Sequence, residues 1–427
     1  MLIMISIVCI FSSTSRLLGS GQTRIDMVWD QMKTVVMGIV VIFVCYWIRN
    51  LNFYRNVSRW GFVASLLILL FLILGPKEGF IHSAEINGAR RIIYVGHLQV
   101  FVYEIIKVLM VMYMAWATES VQSGKLILAD KLTSNPNLKW FSTPRGKRFL
   151  YIYLPFLVIV LLTLPGSGSA AIFIGAIMLL TLAMGGESIK SAALLVLLGM
   201  LAFGFAAGTY KLSNGKIFPR METILGRLKS ESVKDMEAKF KATKGVERQK
   251  IADKMRQPYS ALIAVKEGGP LGKGPGQSTQ RYVVPDISED YMFSFIIEEY
   301  GLWGAAIVIF LYVSLLARGS LVAQNCGDDI FATTAVAGLT LLITLQAFLH
   351  MFVNVDVGPM TGQTLPLISH GTSAFLCFSV VFGILLSISR IAQQKIETEE
   401  NAAEPLVKVD DTVGSSLGDL DNFESQI

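Results

Sequence analysis

The most informative part of this chain is LGKGPGQSTQRYVVPDISEDYMFSFIIEEYGLWG, residues 271–304. A glycine-rich polar loop leads into a Pro-Asp turn, and Asp290 lies where a long apolar helix is predicted to begin. Glu298 and Glu299 follow inside that helix. Ionisable groups at membrane depth are costly unless they face a cavity or a partner. The three carboxylates therefore mark a candidate functional site.

The composition indicates a membrane protein that crosses the bilayer several times. Of 427 residues, 53% are hydrophobic and 16% are charged, whereas a soluble domain carries about 25% charged residues. The four cysteines and four histidines are scattered, without the spacing of a disulfide framework or a metal site. No cofactor is evident, a divalent cation is compatible but not readable from the sequence, and nothing points to a nucleic-acid partner.

Ten apolar segments are each roughly long enough to cross a bilayer core. They lie near 2–15, 34–48, 60–75, 98–117, 149–164, 169–184, 190–208, 292–317, 331–353 and 371–390. The pattern predicts an all-α polytopic membrane protein, with a transmembrane domain over 1–395. The first segment is short for a span, which leaves open whether Met1 is its true start.

The loop charges predict the orientation. The loop 118–148 carries six Lys or Arg, which favours a cytoplasmic side. With ten spans both termini are then cytoplasmic, and the large loop 209–291 is outside, although basic residues in the loop after the first segment oppose this assignment. The tail 396–427 has nine acidic residues against one lysine and is predicted to be disordered.

The outer loop 209–291 is the largest non-membrane segment, and residues 219–256 within it are predicted to be helical and strongly charged. Two interpretations remain open. The segment is a solvated helix lying on the membrane, or it is a basic lid that attracts an anionic lipid head group.

Five short motifs occur in order along these spans. They are INGARR at 86–91, YEIIK at 103–107, GKGPGQSTQ at 272–280, PDISEDYMFSFIIEEYGLWG at 285–304 and PMTGQTLPLISHGTSAF at 359–375. Together they resemble the SEDS family (shape, elongation, division and sporulation), with the FtsW branch favoured by TGQTLPL and the RodA branch next. The chain departs from the family motifs at several positions: Ile92 for Trp, Phe101-Val102-Tyr103 for Gln-Pro-Ser, Gly166 for Asp, Glu289 for Thr, His370 for Tyr and Thr372 for Gly.

The resemblance implies a peptidoglycan glycosyltransferase in the bacterial cytoplasmic membrane. Such an enzyme polymerises lipid II, a disaccharide-pentapeptide on undecaprenyl pyrophosphate, by inverting glycosyl transfer. The implied partners are a class B penicillin-binding protein transpeptidase and other divisome membrane proteins. Asp290 matches the essential aspartate of the family and would act as the general base. The alternative is that Asp290 only caps the helix, because Asp is a preferred N-cap residue.

Two basic motifs are candidates for substrate contacts. Arg90 and Arg91 can bind the pyrophosphate bidentately, presented by a turn at Asn87, or they attract lipid phosphates in general. Lys107 lies one turn after Glu104, so the two residues form either a buried structural pair or a substrate contact.

The remaining motif residues are polar groups and helix breakers. Ser278, Thr279 and Gln280 are candidates for hydrogen bonds to sugar hydroxyls, and the glycines before them for a flexible flank of Asp290. Glu298 and Glu299 are expected to organise the cavity. A re-entrant outer loop is predicted near the cavity, with an ordinary exposed hairpin as the alternative. Its key residues are Pro366, Ser369 and Gly371.

Three other functions stay open. A lipid II flippase would also suit ten spans with intramembrane charges, but its polar site is expected near the midplane between repeats. Asp290, Arg90 and Arg91 instead fall at one face, and no repeat is visible. A family member acting in cell elongation, as RodA does, is a second alternative. A scaffold without chemistry is the third, although the presence of Asp290 argues against it.

Overall fold

The structure is a computed structural model of helices that pack side by side, with a small sheet at one end. It describes residues 1–13, 24–86, 89–96, 98–124, 140–141, 143–213, 233–284, 287–358 and 361–418. The helices are α1 Leu2–Ser13, α2 Arg24–Trp47, α3 Leu51–Ser58, α4 Gly61–Leu74, α5 Val102–Ser123, α6 Pro144–Arg148, α7 Leu154–Thr163, α8 Gly168–Met184, α9 Ile189–Leu212, α10 Val233–Ala242, α11 Val246–Gly268, α12 Met292–Asn325, α13 Ile330–Asn354 and α14 Thr372–Gly418. A π-helical turn, Phe149–Tyr153, joins α6 to α7, and a 3-10 turn, Gln280–Tyr282, precedes α12.

As far as the structure describes them, the ten apolar segments lie mainly in helices, so the predicted helical class is confirmed. The segment 98–117 differs at its start, because residues 98–101 form a strand. By length and composition six described helices can cross a membrane, and the bent pair α3 and α4 makes a seventh candidate. The shorter helices α1 and α8 are also apolar. The chain is therefore a multi-pass membrane protein, while the number of ten spans stays a prediction.

The first correction to an all-α architecture is a three-stranded antiparallel sheet. It consists of β1 Ile81–Ile86, β2 Ala89–Val95 and β3 Leu98–Phe101. Ile86 pairs with Ala89 at one end of the first hairpin, and Val95 pairs with Leu98 in the second. Short runs of β-branched residues flanked by polar ones favour strands, but the sequence analysis assigned no strand between the apolar segments 60–75 and 98–117.

Part of the acidic tail lies within the described residues. The structure continues α14 through the first part of the tail to Gly418. The segment QQKIETEENAA is rich in Gln, Glu, Lys and Ala, which are good helix formers, so a helix that already exists propagates through it. Residues 419–427 lie outside the described residues, as does 219–232 of the predicted charged helix. The rest of that segment is α10 and part of α11.

Two apolar cores hold the helices together. One lies between α5, α12, α13 and α14, and includes the fully buried Phe295, Phe331 and Phe375. The other lies between α4, α5, α7 and α8 around Met110. Because α5 contributes residues to both cores, it lies between them.

Candidate functional site

A cavity of about 500 Å³ lies where several helix ends meet. Asp290 and Tyr291 precede α12, Ser167 is the N-cap of α8, and Gly371 directly precedes α14. Helix α5 contributes its first turn and α13 its last turn. The cavity is therefore at one end of the bundle and not halfway along the helices.

The cavity unites residues that are far apart in sequence. Asp290 and Arg91 line it together with residues 361–364, 370 and 371 of the segment before α14. Residues that the sequence did not single out also line it: Gln99, Gln257, Gln363 and Thr364. Isolated uncharged polar side chains carry no distinctive sequence signal, which explains why they were missed.

Asp290 is not the N-cap of α12. That position belongs to Tyr291, whose side chain makes no capping hydrogen bond. The first N–H groups of the helix are instead satisfied from α13: Ser294 N donates to Asn354 Oδ1 at 2.9 Å, and Phe293 N donates to His350 Nε2 at 3.4 Å. The N-cap position that was the alternative role for Asp290 is therefore occupied by Tyr291, and Asp290 lines the cavity.

Asn354 also fixes the backbone at the acidic residue. Its Nδ2 donates to the carbonyl of Asp290 at 3.1 Å and to the carbonyl of His350 at 2.9 Å. His350 in turn lies 2.7 Å from the Gln363 carbonyl through Nδ1. Because Nε2 accepts from Phe293, Nδ1 is the protonated nitrogen. Two side chains one turn apart on α13 thus set the position of Asp290.

Tyr291 is buried, and its environment keeps it neutral. Burial raises its pKa, and the neighbouring charges of Asp290 and Asp356 raise it further. A phenol in this position does not ionise near neutral pH, so the carboxylate beside it is the better proton acceptor.

The two arginines of INGARR point to different places. Arg91 lines the cavity, and its Nε donates to the Gly166 carbonyl at 3.1 Å. Arg90 instead donates to the carbonyls of Ile73 and Gly75 at 2.8 and 3.1 Å, which caps the C-terminal end of α4. Successive residues of a strand face opposite sides, so the prediction that both arginines reach the cavity is wrong for Arg90. Asn87 lies outside the described residues.

The missing family aspartate has a local explanation. A side chain on Gly166 would overlap the hydroxyl of Tyr103, and Tyr103 donates this hydroxyl to the Arg90 carbonyl at 3.3 Å. The larger residue at 103 fills the space that an acidic side chain at 166 would need. Because no acidic side chain is present at 166, Arg91 is held there by the backbone carbonyl of Gly166.

Lys107 is buried behind the cavity wall. Its Nζ donates to Glu104, Gln346 and Gln363 at 2.7, 2.8 and 2.6 Å, and it lies 5.1 Å from the centre of the Phe173 ring. An ammonium has three donors, and all three are used. The structure therefore favours the structural alternative for Lys107, whereas Glu104 lines the cavity.

The glycine-rich loop is docked into a break in α12. Gly301 has φ +67°, and around it Lys273 N and Gly274 N donate to the carbonyls of Glu298 and Glu299 at 2.8 and 2.9 Å. A Cβ on Gly272 would collide with the Glu299 carbonyl. The loop needs glycine for close backbone approach, so it is a fitted segment and not a flexible flank.

The two glutamates hold this loop through their side chains. Glu298 is fully buried and accepts from Lys273 Nζ at 2.7 Å, Ser278 Oγ at 2.5 Å and Thr279 N at 2.9 Å. Glu299 accepts from Ser12 Oγ at 2.8 Å.

These contacts correct two predicted sugar contacts. The Ser278 hydroxyl donates to Glu298, and the backbone N–H of Gln280 donates to the same carboxylate at 3.3 Å, which fixes the backbone at Gln280 but does not engage its side chain. Neither Ser278 nor Gln280 lines the cavity, because their hydrogen bonds to the buried Glu298 hold this polar segment elsewhere. Glu298 and Glu299 organise the loop and not the cavity directly.

The segment before α14 is a buried loop, which excludes the exposed hairpin. Tyr312 donates to the Pro366 carbonyl at 2.5 Å, and Ser6 donates to the Ile368 carbonyl at 2.8 Å. Ser369 Oγ accepts from Leu365 N at 2.9 Å and donates to the Glu289 carbonyl at 2.7 Å. The buried Ser369 therefore positions the loop and makes no cavity contact, while Gly371 lines the cavity.

Within the described ranges, no group of three or more His, Cys, Asp or Glu side chains is placed to hold a metal ion. The carboxylates that line the cavity are those of Glu104, Glu289 and Asp290.

Comparison with known proteins gives a consistent result. A family model described as "Cell cycle protein", which covers FtsW, RodA and SpoVE, matches residues 1–394. The chain is 26% identical over 341 residues to the probable peptidoglycan glycosyltransferase FtsW of Bacillus subtilis (strain 168), across 79% of this chain and 76% of that protein.

Two solved structures are similar in fold. A chain from a structure titled "Structural coordination of polymerization and crosslinking by a peptidoglycan synthase complex" superposes with a TM-score of 0.61 at 20% identity, over 92% of this chain and 97% of that chain. The crystal structure of the rod shape determining protein RodA of Thermus thermophilus gives 0.57 at 18% identity, over 91% and 93%.

Proposed function

The chain belongs to the FtsW/RodA/SpoVE family of cell cycle proteins, and on this premise we propose that it is a peptidoglycan glycosyltransferase that polymerises lipid II. The observation that carries the proposal is the cavity at one end of the helices, lined by Asp290 and Arg91. The name of the Bacillus subtilis relative supports the same activity.

The proposed chemistry uses Asp290 as the general base. The acceptor sugar hydroxyl attacks C1 of the donor sugar from the face opposite the pyrophosphate, and the new bond forms with inversion. Asp290 takes the hydroxyl proton, and general base catalysis of this kind contributes typically ~10²–10⁴-fold. The anchoring of its carbonyl by Asn354 limits how far the carboxylate can move from the attacking oxygen.

Arg91 has the proposed role of holding the leaving pyrophosphate. A guanidinium stays charged and can offer two parallel N–H groups to phosphate oxygens. Its Nε is engaged with the Gly166 carbonyl, which fixes the orientation of the planar group at the cavity. Arg90 is excluded from this role because it caps α4.

The position of the cavity argues for this function over lipid II transport. A transporter is expected to hold its polar site near the bilayer midplane. Here the lining residues come from helix termini: Asp290 before α12, Glu104 in the first turn of α5 and Val353 in the last turn of α13. Such a site suits chemistry on head groups at one surface of the membrane.

The cellular setting follows from the family. We place the chain in the bacterial cytoplasmic membrane with both termini in the cytoplasm and the cavity outside. Its proposed partners are a class B penicillin-binding protein transpeptidase, which would crosslink the new strand, and other divisome proteins. A role in septal synthesis during division is favoured over elongation by the TGQTLPL segment at 361–367.

The decisive experiment is polymerisation of lipid II by the purified protein, with and without its transpeptidase partner. Glycan strands are separated on a gel and quantified for the wild type, Asp290→Asn and Asp328→Asn. Asp328 is an exposed carboxylate in the turn between α12 and α13 and serves as the control. We expect strands from the wild type and Asp328→Asn only.

Polymerisation by Asp290→Asn at the wild-type rate would refute the role of this carboxylate. A wild-type protein that moves lipid II across vesicles but forms no strands in any condition would favour transport instead.

A further inference from the structure

Two side chains next to the proposed base form a pair at the cavity wall. Glu289 lies in the turn before α12, and His370 lies two residues before α14. His370 Nδ1 is 3.5 Å from Glu289 Oε1, and both residues line the cavity that contains Asp290. Both positions also depart from the family motifs, which have Thr and Tyr there. The two residues that differ from the family motifs are therefore in contact, and His370 adds an imidazole to the site.

The backbone presents this pair in a fixed arrangement. His370 N donates to the Ser288 carbonyl at 2.8 Å, and Ser369 Oγ donates to the Glu289 carbonyl at 2.7 Å. These two bonds fasten the turn before α12 to the loop before α14. The approach of Glu289 to His370 is thus supported by main-chain contacts on both sides.

The geometry assigns a tautomer to His370. A carboxylate accepts from a ring N–H, so in the neutral ring the proton lies on Nδ1 and the lone pair lies on Nε2. Among the described residues no hydrogen-bond partner contacts Nε2, and 23% of the side chain is exposed. The charged groups that share the cavity with this pair are Asp290, Glu104 and Arg91.

We propose, on the basis of the glycosyltransferase function above, that Glu289 and His370 are a second acid–base group that resets Asp290 after each sugar addition. In the transfer, the acceptor oxygen bonds to C1, the bond from C1 to the pyrophosphate oxygen breaks, and the electron pair leaves with the pyrophosphate. The hydroxyl proton goes to Asp290. It then passes to Nε2 of neutral His370, and Glu289 stabilises the resulting imidazolium. The imidazolium releases the proton to water, and both groups return to their starting states.

The test compares lipid II polymerisation by His370→Gln and His82→Gln. His82 is the control, because its ring stacks on Tyr94 in the sheet at a centroid distance of 5.1 Å and does not line the cavity. We expect His370→Gln to lower kcat by about 10²-fold, the lower end of general acid–base catalysis, with unchanged KM. We also expect it to remove one ionisation from the pH profile of kcat. His82→Gln should match the wild type in both measurements.

Glu289→Gln provides an independent variant if His370→Gln does not fold. Its side chain is 41% exposed, so the substitution leaves packing intact, and it should lower kcat in the same direction. A monodisperse chromatographic peak shows that each variant is folded.

Three results would overturn the proposal. These are wild-type kcat in both folded variants, a raised KM with normal kcat, or a pH profile that does not change in His370→Gln. The failure of the broader function is distinguishable, because the wild-type protein would then form no glycan strands at all.

Discussion

Asn354→Leu is the sharpest test of how the fold presents Asp290. Asn354 Oδ1 accepts from Ser294 N at 2.9 Å and from Ser294 Oγ at 3.0 Å, while Nδ2 donates to the carbonyls of Asp290 and His350. Leucine has a similar size and none of these polar atoms. The substitution therefore removes the anchor of Asp290 without a large change in packing volume.

The expected magnitudes follow from these four contacts. A neutral hydrogen bond contributes about 0.5–1.5 kcal/mol, and a buried donor left without a partner costs about 1–3 kcal/mol. We therefore expect Asn354→Leu to lower the free energy of unfolding by about 3 kcal/mol. If the carboxylate of Asp290 shifts by about 1 Å, kcat falls by about 10²-fold.

A matched control separates activity from stability. Asp329 is the N-cap of the same helix, and its Oδ1 accepts from Ala332 N at 2.8 Å. It also pairs with Arg55. It lies at the other end of the 25-residue helix α13, roughly 35 Å from Asn354 at 1.5 Å per residue. Asp329→Ala should lower stability by about 1 kcal/mol or more and leave kcat unchanged.

The assay measures kcat for lipid II polymerisation and the unfolding free energy of each variant in the same detergent. Wild-type kcat in Asn354→Leu would refute the idea that α13 positions Asp290. An equal loss of kcat in Asp329→Ala would refute it as well, because activity would then follow stability alone.

Three further predictions concern the walls of the cavity and the loop behind it. Arg91→Lys should lower the turnover of lipid II, because lysine lacks the planar fork of the guanidinium. Arg90→Lys should retain the wild-type turnover. Wild-type turnover in both variants would place neither arginine at the pyrophosphate. Lys107→Met should lower the free energy of unfolding by about 3–5 kcal/mol, because the partly buried carboxylate of Glu104 loses its partner. Adding Glu104→Gln should recover part of this loss in a denaturation experiment. Gly272→Ala should destabilise the protein by at least about 1 kcal/mol, because φ is +78° and alanine is strained there; an unchanged melting temperature would contradict the docked loop.

Some features of the fold were predictable because their causes are local. A helix that crosses a membrane needs a continuous apolar run of a certain length, so the ten apolar segments predicted the apolar helices of the structure. The end of α13 and the start of α14 were equally visible, since Gly and Pro interrupt the hydrophobic pattern between them. The family motifs predicted Asp290, among the acidic residues, as the candidate general base.

Other features depended on partners that are distant in sequence. The neighbouring sequence could not show whether Asp290 caps its own helix. The acceptor that the helix N–H of Ser294 uses instead is Oδ1 of Asn354, 60 residues away. The same holds for Ser278, which was predicted to bind sugar but is held by Glu298, 20 residues further on.

The arginine pair shows which properties the sequence alone determines and which only the tertiary structure decides. The sequence determined that Arg90 and Arg91 are adjacent, charged and between two apolar segments. Only the sheet decided that they face opposite sides, so that Arg91 reaches the cavity and Arg90 caps α4. The physical reason is that charge and hydrophobicity belong to each residue, whereas hydrogen-bond partners and the direction of a side chain are set by whichever segments the fold brings within about 3 Å.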